Sequence, residues 1–175
     1  AFLRSPDPEL APDTREYPPN QYNFLVKVLA NTAFGPIPMP EKTIVEPDTT
    51  DKVALGKYVA NGVIGCFACH SGDLKTMNEL EPEKSPGFYG GGIEMLDEDG
   101  KTHITAANIT MDMETGIGKL TEQQFVEAVK YGKKPGGGSL HYPMEPHPAL
   151  SDTEVKAIYA YLKTVPPIKN QVHRY

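Results

Sequence analysis

The sequence lacks any apolar run long enough to cross a bilayer. Its best candidate, residues 24–30, is short and interrupted by Lys27, whereas a membrane-spanning helix needs about 20 consecutive apolar residues. No segment of the chain is therefore expected to span a membrane. The sequence also lacks an initiator methionine, and no basic and apolar leader precedes its first residues. We expect that it begins where signal cleavage, or truncation after a membrane anchor, left it.

The chain also has too little positive charge to bind nucleic acid. It holds 17 Lys and Arg against 23 Asp and Glu, a formal net charge of −6, whereas phosphate backbones need a basic surface. The charge is unevenly distributed, because residues 1–114 hold 9 basic and 18 acidic side chains and residues 115–175 hold 8 and 5. The last third of the chain is therefore predicted to form a basic face.

Proline separates the chain into an extension and one main domain. Nine of the 17 prolines lie within residues 1–48, and they leave room for a single helix near residues 22–33. We interpret residues 1–48 as an N-terminal extension. Residues 49–175 are predicted to form the main domain.

Three helices are predicted in the main domain, near residues 50–60, 121–131 and 151–164. The second and third begin with capping boxes, Thr121 with Gln124 and Ser151 with Glu154. In the first, Val53, Ala54 and Tyr58 are expected to face inward, with Leu55 as a further candidate. The segment between the second and third helices, residues 135–148, holds three glycines and four prolines and is predicted to be a loop.

Only one β element is expected in this all-α domain. Residues 93–96 and 102–105 flank an acidic turn that ends at Gly100, a pattern that indicates a short hairpin. Few helices joined by long connections predict an all-α domain of low helix content.

The two cysteines of the chain carry its clearest chemical signal. Cys66 and Cys69 are separated by two residues and followed by His70, which matches the C-x-x-C-H motif of covalent haem attachment. Each thiol can add to one haem vinyl group, and the histidine that follows is then placed beneath the iron. The motif predicts one covalently bound haem c, with His70 as the proximal ligand.

Three other interpretations of the cysteine pair are weaker. A thioredoxin-like dithiol favours a βαβ context, which this sequence does not show. A structural zinc site needs four ligands, and the chain has no third cysteine. A plain disulfide would leave His70 unexplained.

The chain resembles class I c-type cytochromes, in particular the single-haem modules and subunits that accept electrons from periplasmic dehydrogenases. The resemblance is carried by CFACH at residues 66–70, NIT at 108–110, TGIGKLT at 115–121, YPM at 142–144, LSD at 150–152 and AIYAYL at 157–162. It implies a helical fold around the haem, a methionine as distal ligand, redox proteins as partners and a periplasmic or other extracytoplasmic location. It also implies that Asn108 lies near the haem or its propionates, although an asparagine that only stabilises a turn is an equal alternative.

Met144 is the best placed of the six methionines to be the distal ligand. It lies in the proline-rich loop between two predicted helices, a position from which a rigid scaffold can present a side chain to a site. Met111 and Met113 are the next candidates, and a distal histidine is the main rival. The histidine candidates are His103, His141, His147 and His173.

Iron held by histidine and methionine favours electron transfer, because the protein fills both axial positions. The sequence therefore predicts a non-enzymatic electron carrier, or the electron-transfer subunit of a redox complex. Two alternatives stay open at this point. One is a peroxidase-like or gas-sensing haem protein with an open distal site, and the other is a dithiol oxidoreductase without haem.

Overall fold

The structure is a computed structural model that describes residues 15–32, 38–41 and 43–172. The chain divides into two units, Ala1–Ile44 and Val45–Tyr175. The sequence-based boundary between an extension at 1–48 and a main domain at 49–175 stays a prediction. No helix in the described part of the chain is long and apolar enough to cross a membrane.

The described residues of the first unit contain one helix, α1, at Phe24–Thr32. It begins where the side chain of Asn23 accepts a hydrogen bond from the backbone N–H of Val26, at 2.8 Å. This helix lies within the range predicted near residues 22–33, whose last residue is outside the described part. None of the residues of α1 is buried.

The second unit is mostly helical. Helix α2 at Lys52–Lys57 continues into a π-helical stretch at Tyr58–Val63, and the short α3 follows at Cys66–His70. A 3₁₀ turn lies at Pro82–Lys84, and helices α4 and α5 occupy Glu122–Tyr131 and Asp152–Leu162.

Local hydrogen bonds start and stop these helices as the sequence predicts. Thr121 and Gln124 form a reciprocal capping box at the start of α4, and Ser151 and Glu154 do the same for α5. Helix α4 stops at Gly132. Residues 135–148 contain no helix or strand, so the predicted loop is confirmed.

The predicted hairpin is also present. Strands β1 at Glu94–Leu96 and β2 at His103–Thr105 pair antiparallel, with Met95 opposite Ile104. The turn closes where the N–H of Gly100 donates to the carbonyl of Asp97, at 2.9 Å. The described part of the second unit is thus helical with one two-stranded sheet, which agrees with the predicted all-α class and its hairpin insertion.

Helices α2 and α5 cross at a glycine and form the centre of the core. A Cβ on Gly56 would overlap the carbonyl oxygen of Ala157 and would lie 2.8 Å from the Cβ of Tyr161. The buried side chains around this crossing include Leu55, Val59, Ala60, Val155, Ile158 and Leu162. The prediction that Val53 faces inward is wrong, because its side chain is 42% exposed. The crossing selects the face of α2 that carries Leu55 and Gly56, and Val53 lies off that face.

Gly56→Ala is expected to lower the free energy of unfolding by about 3 kcal/mol, because the added methyl group meets the backbone of α5 and neither helix can move without disturbing the core. Gly62→Ala is the matched control. It lies in the π-helical stretch and has open space where its Cβ would be, so we expect a gain of up to about 1 kcal/mol. Chemical denaturation followed by circular dichroism measures both. Equal destabilisation by the two substitutions would contradict the close crossing.

Candidate haem attachment site

Helix α3 presents the three residues of the attachment motif together. Cys66, Cys69 and His70 are related by steps of three and four residues, so they share one face of the helix. Gly65 precedes the helix at a φ of 64°, in the left-handed region that glycine adopts without strain. The sequence did not predict α3, because five helical residues are too few for an apolar period to be visible.

The imidazole of His70 is oriented by a backbone carbonyl. Its Nδ1 lies 2.8 Å from the carbonyl oxygen of Ala107. A carbonyl can only accept a hydrogen bond, so Nδ1 carries the proton and the lone pair of the neutral ring lies on Nε2. This arrangement is the usual one for a metal-binding histidine, whose second ring nitrogen donates to a carbonyl or carboxylate.

The environment of Cys66 differs from that of a reactive thiol. The cysteine packs against the apolar core that contains the α2–α5 crossing, and this burial raises the pKa of its thiol to about 12. The cysteine of a dithiol oxidoreductase has a lowered pKa, which makes it an attacking thiolate near neutral pH. Cys69 is exposed. The chemistry of Cys66 therefore does not favour the dithiol alternative.

The side chain of Asn108 is fully used by hydrogen bonds within the protein. Its amide nitrogen donates to Thr115 Oγ1 at 3.0 Å and to the Ile168 carbonyl at 2.6 Å. Its amide oxygen accepts from the backbone N–H and the hydroxyl of Thr110, at 2.9 and 2.7 Å. The residue is completely buried. These bonds favour the turn-stabilising alternative, and a contact of Asn108 with haem stays a prediction.

Met144 lies in the loop between α4 and α5 and is half-buried. The loop is tied to the C-terminal end of α4 at two points. The N–H of His147 donates to the Val129 carbonyl at 2.8 Å, and the N–H of Leu140 donates at 2.6 Å to the carbonyl of Gly132, the residue directly after the helix. Within the loop, the N–H of Met144 donates to the His141 carbonyl at 3.0 Å. The backbone before and after Met144 is therefore bonded to the C-terminal end of α4.

The rival ligands occupy different surroundings. Met111 packs against the core, whereas Met113 is 57% exposed. His103 and His141 are exposed, His147 is half-buried, and His173 lies outside the described residues. The assignment of Met144 stays a prediction.

Comparison with curated proteins finds relatives that include several cytochrome subunits of dehydrogenases. The chain is 35% identical over 112 residues to "Alcohol dehydrogenase (quinone), cytochrome c subunit" of Gluconobacter oxydans (strain 621H). It is 36% identical over 112 residues to "Gluconate 2-dehydrogenase cytochrome c subunit" of Pantoea cypripedii, and 32% identical over 115 residues to "Fructose dehydrogenase cytochrome subunit" of Gluconobacter japonicus. This similarity supports a cytochrome c module.

The similarity covers most of this chain but a small part of each relative. The matches take in 62%, 62% and 64% of this chain, and 20%, 22% and 21% of the three relatives in the same order. The chain thus spans about a fifth of the length of these proteins. No model of a known protein family matches the chain.

The residues on the face of α3 fit the group that a cytochrome c module carries. Two thiols can form thioethers, and an imidazole with its lone pair on Nε2 can bind iron. The donor set thus fits a c-type attachment site. The sequence predicted Cys66, Cys69 and His70 for it, and it missed Ala107, whose backbone carbonyl no sequence signal could distinguish.

Proposed function

We propose that this chain binds one haem c covalently through Cys66 and Cys69 and moves single electrons, as a carrier or as the electron-transfer subunit of a redox complex outside the cytoplasm. The observation that carries the proposal is the geometry of α3, which presents both thiols on the same face as an imidazole whose Nδ1 donates to Ala107. The cytochrome c subunits that the chain resembles support it.

Each residue of the site has a defined role in this proposal. In haem attachment, Cys66 and Cys69 would each add their S–H across one vinyl group. The carbon–carbon double bond would become single, sulfur would bond to one vinyl carbon and hydrogen to the other, so no oxidant is needed. His70 binds the iron through Nε2, and the Ala107 carbonyl holds the ring in place. Met144 would hold the iron from a second position through its thioether. A bound haem would supply an iron that gains or loses one electron as it changes between the ferric and ferrous states.

The number of protein ligands that a bound haem iron would have decides between electron transfer and ligand chemistry. Met144 and His70 together would leave no site for O₂ or peroxide, which favours a carrier over a peroxidase-like enzyme or a gas sensor. The distinction therefore depends on Met144, and a substitution at that position tests it.

The surface next to the Met144 loop suits a negatively charged redox partner. Lys133 is exposed and Lys134 is half-buried, at the start of the segment that leads to this loop. Lys130 adds less charge there, since its Nζ lies 2.6 Å from Asp152 Oδ1 and its side chain is only 12% exposed. Lys133 and Lys134 thus form a local basic patch on a chain of net charge −6. We propose that redox partners dock at this patch to exchange electrons with the haem.

Oxidation of the reduced, haem-loaded protein tests both parts of the proposal. The protein should show a c-type absorption spectrum and release one electron per haem to ferricyanide, an anion, or to tris(phenanthroline)cobalt(III), a cation. If the basic patch governs encounter, the rate with ferricyanide falls and the rate with the cobalt complex rises as salt is added, because salt screens exposed charges beyond about 8–10 Å. The net charge of −6 alone would give the opposite signs.

A pair of double variants separates the patch from the net charge. Lys133→Glu with Lys134→Glu should reverse the salt dependence. Lys75→Glu with Lys101→Glu makes the same change in total charge at two exposed positions outside the patch, and should leave the signs unchanged. Equal effects of the two pairs would show that the patch does not guide partners, and a matured chain without visible absorption would refute the haem itself.

A further inference from the structure

Residues 89–92 connect the histidine helix to the segment that holds its hydrogen-bond acceptor. The N–H of Gly91 donates to the carbonyl of His70 at 2.8 Å. On the other side, the N–H of Ile109 donates to the Tyr89 carbonyl at 2.9 Å and the N–H of Gly92 donates to the Ala106 carbonyl at 3.1 Å. Residues 89–92 therefore bond to both α3 and residues 106–109.

Gly91 packs directly on the peptide whose carbonyl, that of Ala107, accepts the hydrogen bond from His70. A Cβ at this position would lie 2.5 Å from the carbonyl carbon of Ala107 and 2.5 Å from the backbone nitrogen of Asn108. Gly91 also has a φ of 70°, which glycine adopts at low cost. Any displacement of Gly91 is therefore transmitted to the Ala107 carbonyl, and so to the Nδ1–H···O bond.

Asn170 fastens residues 89–92 from the C-terminal side. Its amide nitrogen donates to the carbonyl of Gly90 at 3.0 Å and to that of Gly91 at 3.1 Å. Its backbone N–H donates to Thr115 Oγ1 at 3.0 Å, and the same hydroxyl accepts from the side chain of Asn108 at 3.0 Å. One residue thus joins residues 89–92 to the network around Asn108, which directly follows the acceptor Ala107.

We infer that Asn170 is a positioning residue for the proximal histidine, and this inference rests on the proposed haem site. By holding Gly90 and Gly91, it fixes the Ala107 carbonyl against Nδ1 of His70. A hydrogen bond from Nδ1 makes the imidazole more basic, and a more basic ligand stabilises ferric iron and lowers the reduction potential. Asn170 therefore tunes the potential from the end of the chain without contacting the iron.

Substitution of Asn170 in the haem-loaded protein tests this role. Asn170→Ala removes the amide, and Asn170→Leu removes it while keeping the branching at Cγ and the number of side-chain heavy atoms. Both should raise the reduction potential in a spectroelectrochemical titration and shift the NMR resonance of the His70 Nδ1 proton, because the Nδ1–H···O bond lengthens. Asn170→Ser leaves a short donor and should produce a smaller shift in the same direction, so it carries the test if the larger changes prevent maturation.

Two controls distinguish positioning from simple stabilisation. Asn78→Ala removes an amide oxygen that accepts from Leu80 and Glu81, and it should lower the melting temperature without moving the potential. Gln171→Ala changes an exposed neighbour of Asn170 and should alter neither quantity. A haem-loaded Asn170 series that melts earlier at an unchanged potential would overturn the inference alone. A wild-type chain without covalent haem would refute the proposed function instead.

Discussion

A chain carrying Cys66→Ala and Cys69→Ala is expected to emerge from a host with haem-attachment machinery at the mass of the polypeptide alone, whereas the wild type gains the mass of one haem. Both thioethers are lost, and His70 by itself holds haem only reversibly. Intact-mass spectrometry under denaturing conditions measures the difference. We also expect the variant to fold poorly, because haem would supply part of the apolar core against which Cys66 packs.

Single variants sharpen this result. Cys66→Ala and Cys69→Ala should each retain one thioether, and therefore some covalent haem, with an absorption spectrum shifted by the vinyl group that remains. A wild type at the bare polypeptide mass would contradict the proposal.

The dithiol alternative would then require Cys66 to react with alkylating reagents near pH 7. Burial raises the pKa of Cys66 to about 12, so we expect slow alkylation of the haem-free chain well below that pH.

Met144→Ala should convert an electron carrier into a ligand-binding haem protein. Loss of the thioether opens the distal position, so the variant should bind carbon monoxide and added imidazole, and the methionine-to-iron charge-transfer band of the ferric protein should disappear. Met144→His should keep six-coordinate iron and lower the reduction potential, because a thioether favours ferrous iron more than a second imidazole does. Visible spectroscopy and a redox titration report both outcomes.

The other two candidate methionines provide the controls. Met111 is half-buried against the core, so Met111→Ala should cost about 1 kcal/mol of stability and leave the spectrum unchanged. Met113 is 57% exposed, and Met113→Ala should change the free energy of unfolding by less than about 0.5 kcal/mol. Retention of the charge-transfer band in Met144→Ala would move the ligand assignment to one of these two residues.

The helix termini were predictable from the sequence because short-range hydrogen bonds form them. Thr121 with Gln124 and Ser151 with Glu154 bond across three residues, and the hairpin turn closes from Gly100 to Asp97. The inward face of α2 was not predictable in the same way. Val53 is apolar, as the buried Leu55 is, and the crossing at Gly56 decides which of the two lies inside.

The chemistry of the candidate site could be predicted from a short stretch of sequence, because Cys66, Cys69 and His70 are neighbours along the chain and their spacing restricts what they can bind. What surrounds these three residues depends on contacts between distant parts of the chain. The acceptor of His70 lies 37 residues away at Ala107, and Asn170 reaches Gly91 across 79 residues. Such bonds join groups that every residue carries, or amides that a sequence contains in many places, so their partners are set by the packing of the whole chain.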